Sequence, residues 1–392
     1  MNGTSFYFLT TVYNFLFNFM GLWTKLDCMH RKIFSSYNNG CWIMIDLSVA
    51  SGFVIGLVFG AVGLLSGFCL MSSLRDLWTT DDTRKIRSYA TALAVAILGT
   101  QLLAGMGLVN IGSSIYLQPS FSAPLIFFGG LLFGLGMVLA NGCASRALVL
   151  LGKGNLRSLV VITVIGITAQ MTLKGLIAPA RIAFLDWTKT APDAVSIPAL
   201  LTTMGLDDIT GRAIAALIAG GALLIYAFSD KTFRRSYGQI AAGAIIGLLV
   251  AAGWAATGWV AADDFNPVPV ASLTFVSPMA DTVQYVMLST GLTLNFGIAL
   301  VAGVLVGSLT TATLTGRFAF EGYTSVTHTG RSIAGAVFMG IGGAMAYGCS
   351  IGQGLTGVST LAMPSFIALA GILSGAAFAI HSKTRLLAFA FR

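Results

Sequence analysis

Long apolar stretches are the feature that most limits what this chain can fold into. Only 9% of its 392 residues are charged and 56% are hydrophobic, whereas soluble domains carry about 25% charged residues. Segments of about 20 apolar residues cross a bilayer. We predict nine, near 47–68, 88–110, 125–142, 157–178, 211–228, 238–260, 294–312, 333–348 and 364–381. The pattern predicts an all-α polytopic membrane protein that contacts the lipid bilayer, and it excludes a soluble enzyme or a nucleic-acid-binding protein.

The distribution of charge predicts the orientation. The net charge is +8, and three basic clusters belong in the cytoplasm by the positive-inside rule. These are Arg75, Arg84, Lys85 and Arg87; Lys231, Arg234 and Arg235; and Lys383, Arg385 and Arg392. The 261–293 connection carries Asp263, Asp264 and Asp281 without Lys or Arg, so we expect it outside. The mixed 179–210 loop is also expected outside, with residues near 46 outside and the C-terminus inside.

Residues 1–43 differ from the rest of the chain. Their apolar stretch precedes the first basic residue, Lys25, the reverse of the order in a signal peptide. The segment is therefore either an extra span or upstream of a true start at Met44. We take 44–392 as the transport-like domain.

An internal repeat organises that domain. FGLGMVLANGCAS (133–145) matches MGIGGAMAYGCSI (339–351), which aligns Cys143 with Cys349. The preceding spans, 125–142 and 333–348, are short, since they reach about 24–27 Å against about 30 Å of hydrocarbon. We expect broken helices that end in Gly-Cys loops. The predicted orientation makes the repeat inverted, with halves near 47–180 and 294–381. A weaker echo pairs GLVFG (56–60) with GVLVG (303–307).

Cys143 and Cys349 are the first candidate functional residues. A thiol is a weak donor and a polarisable acceptor, which suits a solute that carries sulfur. The alternative is a small apolar residue in a tight interface. Cys69, in SGFCLMSSLRDLW (66–78), is a third candidate or a membrane-end cysteine. The five cysteines form no C-x-x-C pair and the three histidines are scattered, so we predict neither a metal site nor a cofactor.

Other polar residues near the repeated motif could replace the lost hydration of an anion. Candidate donors are the helix N-termini after each Cys loop and the side chains of Asn141, Ser145, Ser350 and Gln353. Arg146 or Lys174 could supply positive charge. The alternatives are a topology marker for Arg146 and an interfacial side chain for Lys174.

The acidic residues are informative by their positions. All fourteen are expected in loops or at span ends, whereas proton- or sodium-coupled transporters keep an acidic residue in the membrane. The sequence also lacks a G-x-x-x-x-G-K-[ST] phosphate loop. We therefore expect transport to be passive, or driven by what happens to the solute after entry.

The repeated Gly-Cys element and the G-F-C-L-M-S-x-L-R-D-L-W run together resemble the YeeE/YedE family of membrane proteins over residues 47–381. The resemblance implies an all-helical protein with pseudo-symmetry. It also implies that Cys69, Cys143 and Cys349 hand thiosulfate inward through S–H···S contacts, and that a TusA-type sulfur-carrier protein is a possible partner. Asn141 and Tyr347 depart from the glycine that relatives often have before Gly-Cys.

Three hypotheses follow. The first is a bacterial inner-membrane importer of thiosulfate or a related sulfur oxyanion, with substrate-path residues Cys69, Cys143, Cys349, Asn141, Ser145, Arg146, Ser350 and Gln353. The second is a membrane subunit that docks a sulfur- or selenium-carrier protein without transporting by itself. The third, a membrane thiol enzyme, has little support because no histidine is placed to act as a base for a cysteine.

Overall fold

The computed structural model describes residues 47–192, 194–262, 268–323 and 326–382. Several sequence predictions fall outside them: the extension 1–43, the start at Met44, Asp263 and Asp264, and the basic residues after 382. The described residues form helices, with isolated bridges in place of strands. The numbered helices are α1 Leu47–Ser66, α2 Leu70–Thr80, α3 Arg84–Gly105, α4 Ala123–Leu139, α5 Ala144–Gly152, α6 Leu156–Leu173, α7 Ala178–Thr188, α8 Ile197–Thr203, α9 Asp208–Phe228, α10 Lys231–Arg234, α11 Tyr237–Ala255, α12 Val276–Met287, α13 Phe296–Leu314, α14 Val326–Met345 and α15 Met363–Ser382. The all-α prediction is confirmed.

Eight helical segments of the described residues are long and apolar enough to cross a membrane, against the nine predicted. They are Leu47–Thr80, Arg84–Gly105, Ala123–Gly152, Leu156–Leu173, Asp208–Phe228, Tyr237–Val260, Phe296–Leu314 and Met363–Ser382. The ninth predicted span corresponds to α14, which has 20 residues and so is longer than the short helix expected over 333–348. The additional N-terminal turns of α14 carry His328 and Arg331, and the helix is not among the eight apolar segments.

Two connections contain helices where loops were expected. The 179–210 segment includes α8 and most of α7, and the 261–293 segment includes α12. Asp281 therefore lies on a helix, where Lys174 Nζ is 3.9 Å from its carboxylate. Asp76 likewise lies within α2, where its carboxylate accepts from Lys85 Nζ at 2.6 Å. Asp281 thus lies on a helix within a connection and not in a loop, whereas Asp76 lies near the end of the span Leu47–Thr80, as expected.

Glycines allow the long helices to pack with their backbones almost in contact. Helices α1 and α13 run parallel, and a Cβ at Gly56 would overlap the carbonyl oxygen of Leu300. A Cβ at Gly303 would overlap the carbonyl oxygen of Phe53. Such small-residue contacts drive helix association where lipid tails compete with apolar side chains. The weaker sequence echo, 56–60 with 303–307, therefore lies on two neighbouring helices that run parallel, so it is not part of the inverted repeat.

The repeated helices α4 and α14 run antiparallel along each other. The Cβ position of Gly129 faces the backbone of Ala346, and that of Gly136 faces the carbonyl of Gly335. The flanking helices follow the same symmetry, because α4 packs parallel to α15 as α14 packs parallel to α6. The parallel pair formed by α1 and α13 likewise has a counterpart in α11 and α3. The repeat is therefore inverted, as predicted from the charges.

Candidate functional site

The two Gly-Cys turns share one backbone conformation. Asn141 and Tyr347 are left-handed, with φ of 58° and 57°. In each turn the next glycine N–H closes the helix, from Gly142 to Met137 O at 2.9 Å and from Gly348 to Gly343 O at 2.8 Å. These bonds satisfy carbonyls that a helix end leaves unpaired. The chain thus leaves each helix abruptly and places a cysteine immediately beyond it. Glycine is favoured at a left-handed position because it has no Cβ. Asn141 and Tyr347, which stand where relatives often have glycine, therefore hold a strained backbone conformation.

The first group of functional candidates is built around a pair of thiols. Cys69 Sγ and Cys143 Sγ lie 3.3 Å apart, a hydrogen-bonding distance for free cysteines. The two residues are separated by 74 positions in the sequence. Cys69 is the N-cap of α2 and Cys143 is the N-cap of α5, and both are buried. Two helix N-termini, each with a partial positive charge, therefore converge on the thiol pair.

Polar and cationic groups surround this pair. Ser145 Oγ lies 3.3 Å from Cys143 Sγ, so its hydroxyl already has a partner. The Arg146 side chain reaches the turn before Cys69, where its Nη1 lies 3.5 Å from the Cβ position of Gly67. Asn141, which is exposed, accepts a hydrogen bond from Arg75 Nη1 at 3.1 Å. Ser145 and Arg146 therefore lie beside the thiol pair, whereas the Asn141 side chain is exposed and pairs with Arg75.

The second group surrounds Cys349, which is 1% exposed. The Gly352 N–H donates to its sulfur at 3.3 Å, and the Gln353 N–H donates to its carbonyl at 2.7 Å. Gln353 Nε2 donates to Ala346 O at 2.5 Å. The Gln353 Oε1 and the Ser350 hydroxyl are buried without a hydrogen-bond partner. A buried polar atom without a partner is costly, so these two groups are available to a ligand or to water.

The structure does not bring every sequence candidate to these two groups. Lys174 ends α6 beside Asp281, so its charge is directed to that carboxylate. Among the described residues, no cluster of three or more His, Cys, Asp or Glu side chains is placed to hold a metal ion.

Three buried aromatic residues were not predicted from the sequence, and one of them contacts the residue that follows Cys349. Tyr89 donates its hydroxyl to Ser350 O at 2.7 Å, directly after Cys349. Tyr116 and Trp254 form an edge-on pair with centroids 6.2 Å apart, and Trp254 Nε1 donates to the Ser359 hydroxyl at 3.3 Å. Single aromatic residues within apolar stretches carry no motif, so the sequence offers no signal for them.

Membrane-spanning helices that break at buried cysteines, arranged as an inverted repeat, define the class as a polytopic membrane protein with a transporter-like core. The chain belongs to the family described as "Sulphur transport", which matches residues 65–378. This confirms the resemblance drawn from the Gly-Cys motifs.

Curated relatives agree with that family. The chain is 25% identical over 345 residues to "Thiosulfate transporter TsuA" of Escherichia coli (strain K12), covering 83% of this chain and 92% of the relative. It is 26% identical over 345 residues to the protein of the same name in Spirochaeta thermophila, covering 81% and 94%. "Probable transporter YedE" of E. coli is 29% identical over 193 residues, covering 48% of this chain and 43% of that protein.

Proposed function

We propose that this protein imports thiosulfate, or a related sulfur-containing anion, across the bacterial inner membrane along Cys69, Cys143 and Cys349. The observation that carries the proposal is the thiol pair, with sulfurs 3.3 Å apart at two helix N-termini. Cys349 occupies, in the inverted copy of the repeat, the backbone position that Cys143 occupies in the first copy. Two relatives that match most of the chain are named thiosulfate transporters, which supports this substrate class.

The chemistry of the two groups suits an anion that has both a terminal sulfur and sulfonate oxygens. Thiols make weak, polarisable contacts with sulfur, so the anion can move between them without a deep energy minimum. The oxygens need stronger donors because burying an unpaired charge is costly. The Arg146 side chain and the N–H groups of α2 and α5 supply donors near the thiol pair, and the Ser350 hydroxyl supplies one near Cys349.

We propose that transport is passive or driven by consumption of the anion inside the cell. Two of the carboxylates that lie on helices are held by lysines, Asp76 by Lys85 and Asp281 by Lys174. In the described part of the chain, neither carboxylate forms a hydrogen bond or an ion pair with Cys69, Cys143, Cys349 or Arg146. A coupled transporter would instead place a titratable carboxylate beside its substrate.

The test is uptake of labelled thiosulfate into proteoliposomes that contain the purified protein. Cys143→Ala and Cys349→Ala should each reduce uptake by about tenfold or more, since a barrier increase of about 1.4 kcal/mol is enough for that. Cys41→Ala, at a cysteine outside the family match of residues 65–378, is the matched control and should retain uptake. Full uptake by both test variants would refute the cysteine path.

The alternative is a membrane subunit that docks a sulfur- or selenium-carrier protein of the TusA type. Its motivation is the set of basic residues on the predicted cytoplasmic side, but Arg84 and Arg87 are engaged with Asp82 and Asp230. Uptake by the purified chain alone would exclude this role. Recovery of only unchanged solute inside the liposomes would exclude a membrane thiol enzyme.

We also propose that residues 44–392 form the transport domain, with repeat halves that include 47–180 and 294–381. The reciprocal packing supports a second half that extends back to α11, because α11 packs on α3 as α1 packs on α13. If α11 and α13 belonged to two separate domains, this assignment of α11 to the second repeat half would be wrong.

A further inference from the structure

One buried side chain, Tyr89 on α3, contacts both cysteine groups. Its ring stacks on Phe68, the residue before Cys69, with centroids 5.6 Å apart and planes at 17°. Its hydroxyl donates to the carbonyl of Ser350, the residue after Cys349, at 2.7 Å. Tyr89 is 5% exposed. A single side chain therefore connects the turn that carries Cys69 with the turn that carries Cys349.

The surroundings of Tyr89 leave little space beside it. A Cβ at Gly354, in the π-helical turn Gly352–Gly357, would overlap the Tyr89 hydroxyl. The direct route between the turn that carries Cys349 and the turn that carries Cys69 therefore runs along this side chain.

We propose that Tyr89 is the barrier between Cys349 and the Cys69–Cys143 pair, and that it selects the anions that pass; this rests on the proposed transport function. The face of an aromatic ring carries partial negative charge and repels an anion, whereas a phenol hydroxyl donates to one. The hydroxyl can transfer its hydrogen bond from Ser350 O to a sulfonate oxygen. An anion able to make that exchange would displace the ring, and the terminal sulfur would then reach the next thiol.

The test measures the barrier directly by thiol labelling. Two single-cysteine proteins are made in which the other four cysteines are replaced by serine, one keeping Cys349 and the other keeping Cys143. A negatively charged, membrane-impermeant methanethiosulfonate is added to one side of sealed vesicles, and then to the other side. The readout on each side is the ratio of the two labelling rates. A barrier that the reagent meets before it reaches either cysteine slows both labelling rates equally. Such a barrier therefore leaves the ratio of the two rates unchanged.

Tyr89→Ala should bring the ratio closer to one by about tenfold, which corresponds to removing about 1.4 kcal/mol of barrier. Tyr89→Phe is the matched comparison, because it keeps the ring and loses only the hydroxyl donor, so it should bring the ratio no closer to one. If Tyr89→Ala does not purify as a single species, Tyr89→Leu replaces it. An unchanged ratio in the truncated variant, or an equal change in Tyr89→Phe, would overturn the barrier.

Transport gives a second, separate readout. In uptake assays Tyr89→Phe should raise the KM for thiosulfate because the hydroxyl donor is lost. Tyr89→Ala should let sulfate, which lacks a terminal sulfur, compete with thiosulfate more effectively. Unchanged KM and unchanged competition would refute the selective role. Failure of the wild type to take up thiosulfate would instead refute the proposed function, and the labelling ratio would still report on the barrier.

Discussion

The Cys143 turn and the Cys349 turn have the same backbone but different surroundings. Both follow a left-handed residue, with φ of 58° and 57°. Cys143 meets a second thiol and lies one turn of chain from Arg146, at two helix N-termini. The Cys349 sulfur accepts from the Gly352 N–H, and the hydroxyl of the adjacent Ser350 is buried without a partner. Two copies of an inverted repeat can thus keep the same backbone around a cysteine while the groups that contact its sulfur differ.

The largest expected effect tests the shared backbone. Asn141→Val and Tyr347→Val should each destabilise the protein by about 2 kcal/mol, because a β-branched residue is strongly disfavoured at positive φ. Asn141→Gly and Tyr347→Gly should be tolerated, since glycine adopts this conformation without strain. Thermal unfolding in detergent measures all four variants. The shared conformation would be refuted if valine were tolerated at either position.

The sequence could predict the conserved backbone but not the divergent surroundings. The Gly-Cys motifs are adjacent in sequence, so their repetition identified Cys143 and Cys349 directly. The contact between Cys69 and Cys143 depends on how helices distant in sequence pack, and no local pattern encodes it. Tyr89 was missed for the same reason.

The missed helix α12 is a different kind of failure. Val276, Met279 and Ala280 are buried at helical spacing, a pattern that was present in the sequence. The helix was overlooked because its 12 residues are too few to span a membrane and include Ser277 and Asp281. The aspartates of the 261–293 connection indicate an external loop, whereas the apolar periodicity of Val276, Met279 and Ala280 indicates a helix within it.

The next prediction separates the chemistry of the two turns. Ser350→Ala should raise the KM for thiosulfate by about tenfold to a hundredfold, because a hydrogen bond to a charged group contributes about 1.5–3 kcal/mol and the Ser350 hydroxyl has no partner in the described part of the protein. Ser145→Ala should change the KM less, since the Ser145 hydroxyl already lies 3.3 Å from Cys143 Sγ. Uptake kinetics in proteoliposomes measure both. Equal effects would mean that the two turns bind the anion in the same way.

The smallest effect concerns two helix N-caps near the ends of the symmetry-related α3 and α13. Asp230, the N-cap of α10, accepts from the Thr232 N–H at 2.8 Å and from the Thr83 hydroxyl, beside the start of α3, at 2.9 Å. The Thr232 side chain, then the Thr232 N–H and the Thr83 hydroxyl, lower the pKa of Asp230 from 3.8 to about 2. Asn295, the N-cap of α13, accepts from the Ile298 N–H at 2.9 Å and does not titrate. The α3 end is therefore pH-sensitive where the α13 end is not.

A pH series of thermal unfolding distinguishes these caps. Because the pKa of Asp230 is lower in the folded state, its stabilisation is complete above pH 3.8 and is lost as the pH falls through about 2. The difference in unfolding temperature between wild type and Asp230→Ala should therefore shrink between pH 5 and pH 2. Asn295→Ala should lower the free energy of unfolding by about 1 kcal/mol. This loss should not change between pH 5 and pH 2. A constant difference for Asp230→Ala would show that its carboxylate makes no charge-dependent contribution, and the two ends would then be alike in electrostatics as well as in backbone.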